Sequence, residues 1–283
     1  MKDQYNYSVI IPYRDKYDLL LKAVKSIPDR NDIQILIIDN SNIILSKDKV
    51  PHKQNASVLF LTSDPTMGAG RARNEGLKHS RGEWLIFLDS DDYFTKDAFD
   101  VFDVYKEQDY YDIVYFQTDS VRLNDGQQSS RHKRINKLVT TYLNNGNDGL
   151  LRYNFVNPIA KMVRTTLVIN NNIQFDEIPV CNDAMFSVKS GHYAKNVTGC
   201  SNVVYIITEG APSTSLTKLR SAQNQFTRFK VAISKYKFLE SVGHRDFRPK
   251  LLSFIVHAIW EFGPKEGLKW ILFAHKQGVR IFF

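Results

Sequence analysis

The sequence predicts an α/β protein with a mostly parallel central sheet, flanking helices and a C-terminal helical extension. Three observations carry this. Short apolar runs of the kind buried on both faces of a parallel sheet occur at Tyr7–Pro12, Ile33–Asp39, Ser57–Thr62 and Trp84–Leu88. Between them apolar residues recur at helical spacing, so strand and helix alternate in the manner of right-handed crossovers. From residue 218 the chain turns basic and helical in composition.

Each element has its own warrant. Proline stops the first β-rich run at Pro12, and Leu19, Leu20, Ala23, Val24 and Ile27 then mark an amphipathic helix over Lys16–Ser26. The second strand ends on a carboxylate, Asp39, and the third is Ser57–Thr62. Gly68-Ala-Gly70 opens a helix that closes near Gly82, and after the Trp84–Leu88 strand a helix is expected near Ala98–Gln108. Asp112–Thr118 reads as a strand, and the polar stretch Asn124–Arg134 as a hairpin tip or mobile loop. Further on, Ile159–Arg164 is a candidate strand, Thr165–Ile169 a short helix, Asp183–Lys189 a helical turn and Asn202–Thr208 a strand. The extension should break at Gly243 and at Gly263-Pro264.

The 283 residues suit one large domain with an appendage, and the boundary is drawn near 217: a catalytic body over 1–217 and a helical region over 218–283. No apolar run reaches the roughly 20 residues that cross a bilayer. The first strand begins within ten residues, which leaves no room for a signal peptide. Two cysteines, Cys181 and Cys200, make neither a metal cluster nor a disulfide framework, so a cytoplasmic setting is expected. Charge is unevenly placed: Lys218–Phe283 holds 13 Lys and Arg against 4 Asp and Glu, while the whole chain carries +8. A near-neutral body with a basic tail points to an anionic surface as partner.

Open α/β sheets bind ligands at the carboxyl ends of their strands. There this chain delivers Pro12-Tyr13-Arg14-Asp15, then Asp39-Asn40, then Asp89-Ser90-Asp91-Asp92. An aromatic ring, a lone acid and an acid cluster match base recognition, ribose or amide hydrogen bonding, and the holding of a divalent cation on a diphosphate. The plainer alternatives are that Asp89–Asp92 form a polar turn capping the next helix, and that Asp39 is a turn residue before Asn40-Ser41. Arg71 and Arg73 could face phosphate from a helix start, or lie on the surface. Gly68-Ala-Gly70 is neither a Walker loop nor a dinucleotide fingerprint, because no Gly-Lys-Ser/Thr and no third glycine follow at the required spacing.

Val9-Ile-Ile-Pro12-Tyr13, Ile37-Ile38-Asp39, Ala72-Arg73-Asn74-Glu75-Gly76 and Gly82-Glu83-Trp84 through Asp92 occur in fixed order. Together they resemble family 2 glycosyltransferases of the GT-A fold, the group that builds bacterial surface polysaccharides. The resemblance covers about Tyr7 to Leu219 and is strongest to Ala98. It implies an inverting, metal-dependent transfer from a nucleotide-sugar donor, UDP-linked, to a saccharide or lipid-linked acceptor. By position, Pro12, Tyr13 and Asp39 would hold the base. Asp89, with Ser90 and Arg73, would face the donor, and Asp91 would bind a divalent cation, Mn or Mg. Asp92 is a helix-cap or supporting candidate. Where the family carries a Trp-x-Lys stretch this chain has Ile159-Ala-Lys161, so the aromatic is missing. Where the family usually has Glu-Asp it has Asn182-Asp183. Asp183 keeps the carboxylate of the general base, and could also cap the helix after it. A neutral Asn182 removes like-charge repulsion, so Asp183 should titrate lower than it would beside Glu.

In the tail, Lys265, Lys269, Lys276 and Arg280 fall within about 60° on a helix, among Leu268, Trp270, Ile271, Leu272 and Phe273. This stripe suits the anionic inner face of the cell membrane; the alternative is packing on the body or in a homodimer. Nothing resembles a nucleic-acid-binding module. Two other readings stay open: a sugar nucleotidyltransferase, which would want a Gly-rich loop that Tyr13-Arg14-Asp15 does not supply, and a catalytically silent scaffold, which Asn182 allows.

Overall fold

In the computed structural model, residues 5–210 and 221–281 are described. The first four strands are β1 (Tyr5–Tyr13), β2 (Ile33–Asp39), β3 (Ser57–Thr62) and β4 (Gly82–Phe87). Helices α1 (Tyr17–Lys25) and α2 (Gly68–His79) connect them, with α2 opening directly after a 3-10 turn at Pro65–Met67. The strands pair in parallel in the order β3-β2-β1-β4, with Tyr7 opposite both Ile33 and Trp84. Every residue of β2 is buried, which is why its sequence runs apolar without alternation.

In the second half two strands run against the rest of the sheet. After β5 (Tyr93–Phe94), α3 (Ala98–Lys106) and β6 (Ile113–Arg122) come two helices, α4 (Lys133–Asn145) and α5 (Gly149–Asn154), neither of which the sequence pattern predicts. The predicted hairpin tip is present, since Gln128 bridges back to Val121, but α4 already starts at Lys133. Next come β7 (Lys161–Arg164), α6 (Thr165–Asn170), α7 (Ala184–Tyr193) and β8 (Val197–Glu209). β7 runs antiparallel between β4 and β6, β8 lies parallel to β6, and β5 runs antiparallel to β8, so the sheet reads β3-β2-β1-β4-β7-β6-β8-β5. β8 is longer than the predicted Asn202–Thr208 because it begins at Val197 and absorbs irregularities opposite Phe116 and Gln117.

The extension forms α8 (Ala222–Ser241), α9 (Leu251–Phe262) and α10 (Pro264–Lys276), broken at the predicted glycines. Phe226, Phe229, Ile233, Ile255 and Trp270 build a core of their own there. The boundary placed near 217 falls in 211–220, outside the described residues. One expectation is corrected: α10 ends at Lys276, and Gly278, at φ +72°, turns the chain, so Arg280 does not continue the lysine stripe. Trp270 is 1% exposed and stacks on Phe229 with ring centroids 5.1 Å apart, so this tail aromatic faces inward.

Candidate active site

The first three strand ends assemble side by side. Tyr13 pairs with Asp39 in register, and the Asn40 amide donates to the Tyr13 carbonyl at 2.9 Å. The Asp39 carboxylate is fully buried and accepts from the Ser41 amide at 2.8 Å and the Leu45 amide at 2.7 Å. The turn reading is therefore present in the structure, with each carboxylate oxygen engaged by a backbone amide. Tyr13 is 4% exposed; burial first, and the Asp39 charge second, raise its phenol above the ordinary value. Pro12 is half-buried beside it.

The acid cluster leaves β4 as a turn, with the Asp92 amide donating to the Asp89 carbonyl at 2.9 Å. Its three carboxylates have separate surroundings. Asp92 is 4% exposed and accepts from the Tyr205 hydroxyl at 2.8 Å and the Thr208 amide at 2.7 Å, both on β8. Burial, then the charges of Asp89 and Asp91, push its carboxyl well above the ordinary range. It caps no helix, since Asp97 holds the position before α3. Its role is to tie the acid turn to β8, and Thr208 reinforces the tie by donating its hydroxyl to the Asp91 carbonyl. Asp91 points the other way. Its side chain is 44% exposed, and its charge partner is Lys16 at 3.9 Å, beyond hydrogen-bond range. Protein atoms around it, then Asp89, still lift its carboxyl above the ordinary value.

Asp89 belongs to a third setting. Arg73, 6% exposed on α2, donates to the Asp89 carboxylate at 2.6 Å and to the Asn182 side-chain oxygen at 2.9 Å. Its guanidinium also lies 5.4 Å from the Phe175 ring centroid. Arg73 is thus not a surface residue, and Asn182 has taken up its position as a partner of Arg73. Next along α2, Asn74 clasps the same segment, donating to the Phe175 carbonyl at 3.0 Å and accepting from the Phe175 amide at 2.8 Å. Gly70 permits this approach: a Cβ there would sit 2.1 Å from the Asp176 carbonyl oxygen. Arg71 pairs with Glu177 at 3.3 Å.

Asp183 precedes α7, yet its side chain makes no capping hydrogen bond. Burial raises its carboxyl above the ordinary value, with Asp89 adding to this and Arg73 and Lys161 opposing. Removing an acid at 182 therefore does not make Asp183 an ordinary carboxylate, because desolvation dominates. Lys161 is 2% exposed and donates to Ser187 at 3.1 Å and the Phe155 carbonyl at 3.3 Å; burial lowers its ammonium to about 7. Tyr205, Thr208, Asn74 and Lys16 are contributors that sequence reasoning missed. Asn74 lay inside the Ala72–Gly76 motif without a role assigned to it, and no motif marked the other three, since each acts on a segment distant in sequence.

A divalent cation fits the residues present. Asp91 offers a hard oxygen donor on a half-exposed side chain. Among the described residues no three Asp, Glu, His or Cys side chains converge as a closed metal centre. That composition suits Mg²⁺ or Mn²⁺, which take one or two carboxylates and leave their other positions to phosphate and water.

Comparison with known proteins decides the family. The profile of glycosyl transferase family 2 matches residues 8–176, more than half of the chain. The chain belongs to glycosyl transferase family 2. Among curated relatives, the poly(ribitol-phosphate) β-N-acetylglucosaminyltransferase TarS of Staphylococcus aureus is 27% identical over 209 residues, covering 70% of this chain and 35% of TarS. A GalNAc(5)-diNAcBac-PP-undecaprenol β-1,3-glucosyltransferase of Campylobacter jejuni is 33% identical over 90 residues, 30% of this chain and 29% of that one. This chain thus spans about a third of the length of these relatives. Among solved structures, TarS 1–349 in complex with UDP-GlcNAc superposes with TM-score 0.62 at 18% identity, covering 98% of this chain and 93% of that one. A Pyrobaculum calidifontis mannosyltransferase in complex with GDP-Man and Mn²⁺ gives TM-score 0.56 at 12% identity over 97% and 76%. These superpositions establish the GT-A fold expected from the sequence.

Proposed function

We propose that this chain is an inverting, metal-dependent glycosyltransferase that moves a sugar from a UDP-linked donor to a hydroxyl of a glycan or lipid-linked acceptor. The observation that carries the reading is Arg73. One buried guanidinium joins Asp89, on the acid turn, to Asn182, the neighbour of Asp183. A donor-binding edge and a candidate base are thereby held in one constellation. The UDP-GlcNAc complex of TarS and the undecaprenol-linked acceptor in the name of the Campylobacter relative support the donor and acceptor classes.

In this reading Pro12, Tyr13 and Asp39 form the base pocket, and Asp89 and Ser90 face the ribose and sugar. Arg73 fixes Asp89 in place. Asp91 would hold Mn²⁺ or Mg²⁺, whose charge, when bound, neutralises that of the diphosphate. Asp183 takes the proton of the acceptor hydroxyl as its oxygen bonds to the anomeric carbon, and the bond from that carbon to the diphosphate breaks with UDP keeping the electron pair. A single in-line displacement inverts the centre. Burial of Asp183 raises its basicity, which favours proton abstraction near neutral pH.

The test is turnover of a UDP-sugar panel with Mn²⁺ in the full chain, with product anomeric configuration read by NMR. Both Asp91→Ala and Asp183→Asn should abolish transfer while each protein stays folded. Tight UDP binding without transfer or hydrolysis in the unmutated chain would overturn the reading in favour of a silent scaffold. A product that retains the donor's configuration would overturn the displacement.

A further inference from the structure

Trp270, the tail aromatic that composition suggested for membrane contact, is buried, but another face is open. On α9, Leu252 is 46% exposed, Val256 58%, Ile259 42% and Trp260 85%. Their spacing places them on one side of the helix, opposite the buried Leu251, Ile255 and Ala258. On α10, Leu268 and Leu272 are likewise exposed, at 57% and 54%. A soluble surface rarely gathers so many large apolar side chains on one helical hairpin without a use for them.

The charges nearby indicate which use. Lys250, Lys265, Lys269, Lys276 and Arg280 are all exposed. Against these stand two acids on the same hairpin: Glu261 pairs with His257 at 2.6 Å, and Glu266 accepts from Lys269, which is thereby offset, and from the Trp270 indole, each at 3.3 Å. The hairpin therefore presents apolar side chains among an excess of cations. On α10 the lysines and leucines share the exposed side, so long stems can lie along an apolar layer while their ammonium groups reach outward. Trp260, an amphipathic ring almost wholly in solvent, has the character of a side chain that settles at a bilayer interface.

We propose that the α9–α10 hairpin docks on an anionic lipid surface through Leu252, Val256 and Trp260, with the surrounding lysines on the headgroups. The contact is peripheral, since no helix among the described residues is long and apolar enough to cross a membrane. A second copy of the chain is the poorer occupant, because an isologous contact would set the same cations against each other. The proposal stands independently of the transferase reading, but it would bring that site to lipid-linked acceptors.

The experiment is co-sedimentation of the full chain with vesicles of equal parts phosphatidylcholine and phosphatidylglycerol, and with phosphatidylcholine alone. The wild type should bind the anionic vesicles, less at high salt, and bind phosphatidylcholine weakly. Trp260→Ser combined with Val256→Ser should weaken binding by about tenfold or more, since large apolar side chains no longer leave water. Lys265→Glu with Lys269→Glu and Lys276→Glu should abolish the preference for anionic lipid. Both variants alter exposed side chains, and circular dichroism should show them folded. Turnover of a UDP-sugar in solution should be unchanged in the Trp260 variant, so failure of the transferase reading is scored separately. Equal sedimentation with and without vesicles would overturn the proposal, as would wild-type binding by the folded Trp260 variant. A wild-type dimer that the Trp260 variant reduces to a monomer, with no vesicle binding in either, would overturn it in favour of self-association.

Discussion

Arg73→Ala removes a side chain that bonds both the acid turn and the segment carrying Asp183. Two hydrogen bonds from a buried cation disappear, one of 2.6 Å to Asp89 and one of 2.9 Å to Asn182. Bonds to charged groups contribute about 1.5–3 kcal/mol each. The Asp89 side chain is 36% exposed, so solvent screens its share and the lower end applies there. The stability loss should be about 3 kcal/mol, read as a lowered urea midpoint at unchanged slope. The loss of kcat/KM should reach about a hundredfold, because the turn and the base are no longer held in one geometry. A third consequence has a definite sign. Arg73 lowers the Asp183 carboxyl against the burial that raises it. Without Arg73, Asp183 holds its proton to higher pH, so the acid limb of kcat/KM must move upward. Arg73→Lys keeps a charge but cannot fork to both partners, and should restore the limb more than the rate. A folded Arg73→Ala protein with wild-type turnover and an unmoved acid limb would refute the reasoning.

Asp183→Asn should lose at least about a hundredfold in transfer, the low end for a general base, while its melting temperature does not fall, because a desolvated carboxylate with no capping bond is replaced by a neutral amide. Tyr205→Phe deletes a fully buried hydroxyl that donates to Asp92 at 2.8 Å and accepts from the Asp89 amide at 3.1 Å. It should cost about 2 kcal/mol in urea denaturation and weaken UDP binding measured by calorimetry. Arg30 binds Asp32 and Asp103, each at 2.6 Å, with Tyr7 also donating to Asp103 at 2.8 Å. Burial would raise both carboxyls, but the bonds from Arg30 and their other donors outweigh it and hold both below the ordinary value. Their contribution is therefore full above the ordinary carboxylate range and lost as pH falls through the lowered values. Arg30→Ala should cost about 2 kcal/mol at neutral pH and flatten the acid side of the stability profile.

The carboxyl edge of the sheet was legible in the sequence because buried parallel strands advertise themselves. β1, β2 and β4 are apolar runs leading into proline or carboxylates, and their carboxyl ends must lie together. α4 was missed although Ile135, Leu138, Val139 and Tyr142 follow helical spacing, because the polar residues before it drew the reading toward a loop. Arg73 was legible as a position but not as a partner. Its two acceptors lie 16 and 109 residues away, and local periodicity carries no information about such pairings. The same holds for Asp92, whose neighbours on β8 come 113 and 116 residues later. The reversal of β7 was equally hidden, since a four-residue strand reads the same in either direction.

That reversed strand has a consequence for how such a protein can diversify. Because β7 runs against β4, the chain arrives at β7 on the very edge where it leaves β4. The loop that ends in Lys161 and the loop that begins with Asp89 are therefore neighbours, although the chain makes a long excursion between them. The segment after β7 is fastened to the first half by Arg73, Asn74 and the bare backbone at Gly70 on α2, by Phe175 and Phe186 against Phe87, and by Thr165 on the Gly82 carbonyl. Any replacement segment that offers a side-chain oxygen to Arg73 and a backbone amide and carbonyl to Asn74 could be seated there. The fold thus works as a socket: the first half supplies the grip, and the later segment is seated in it through side-chain oxygens and its own backbone.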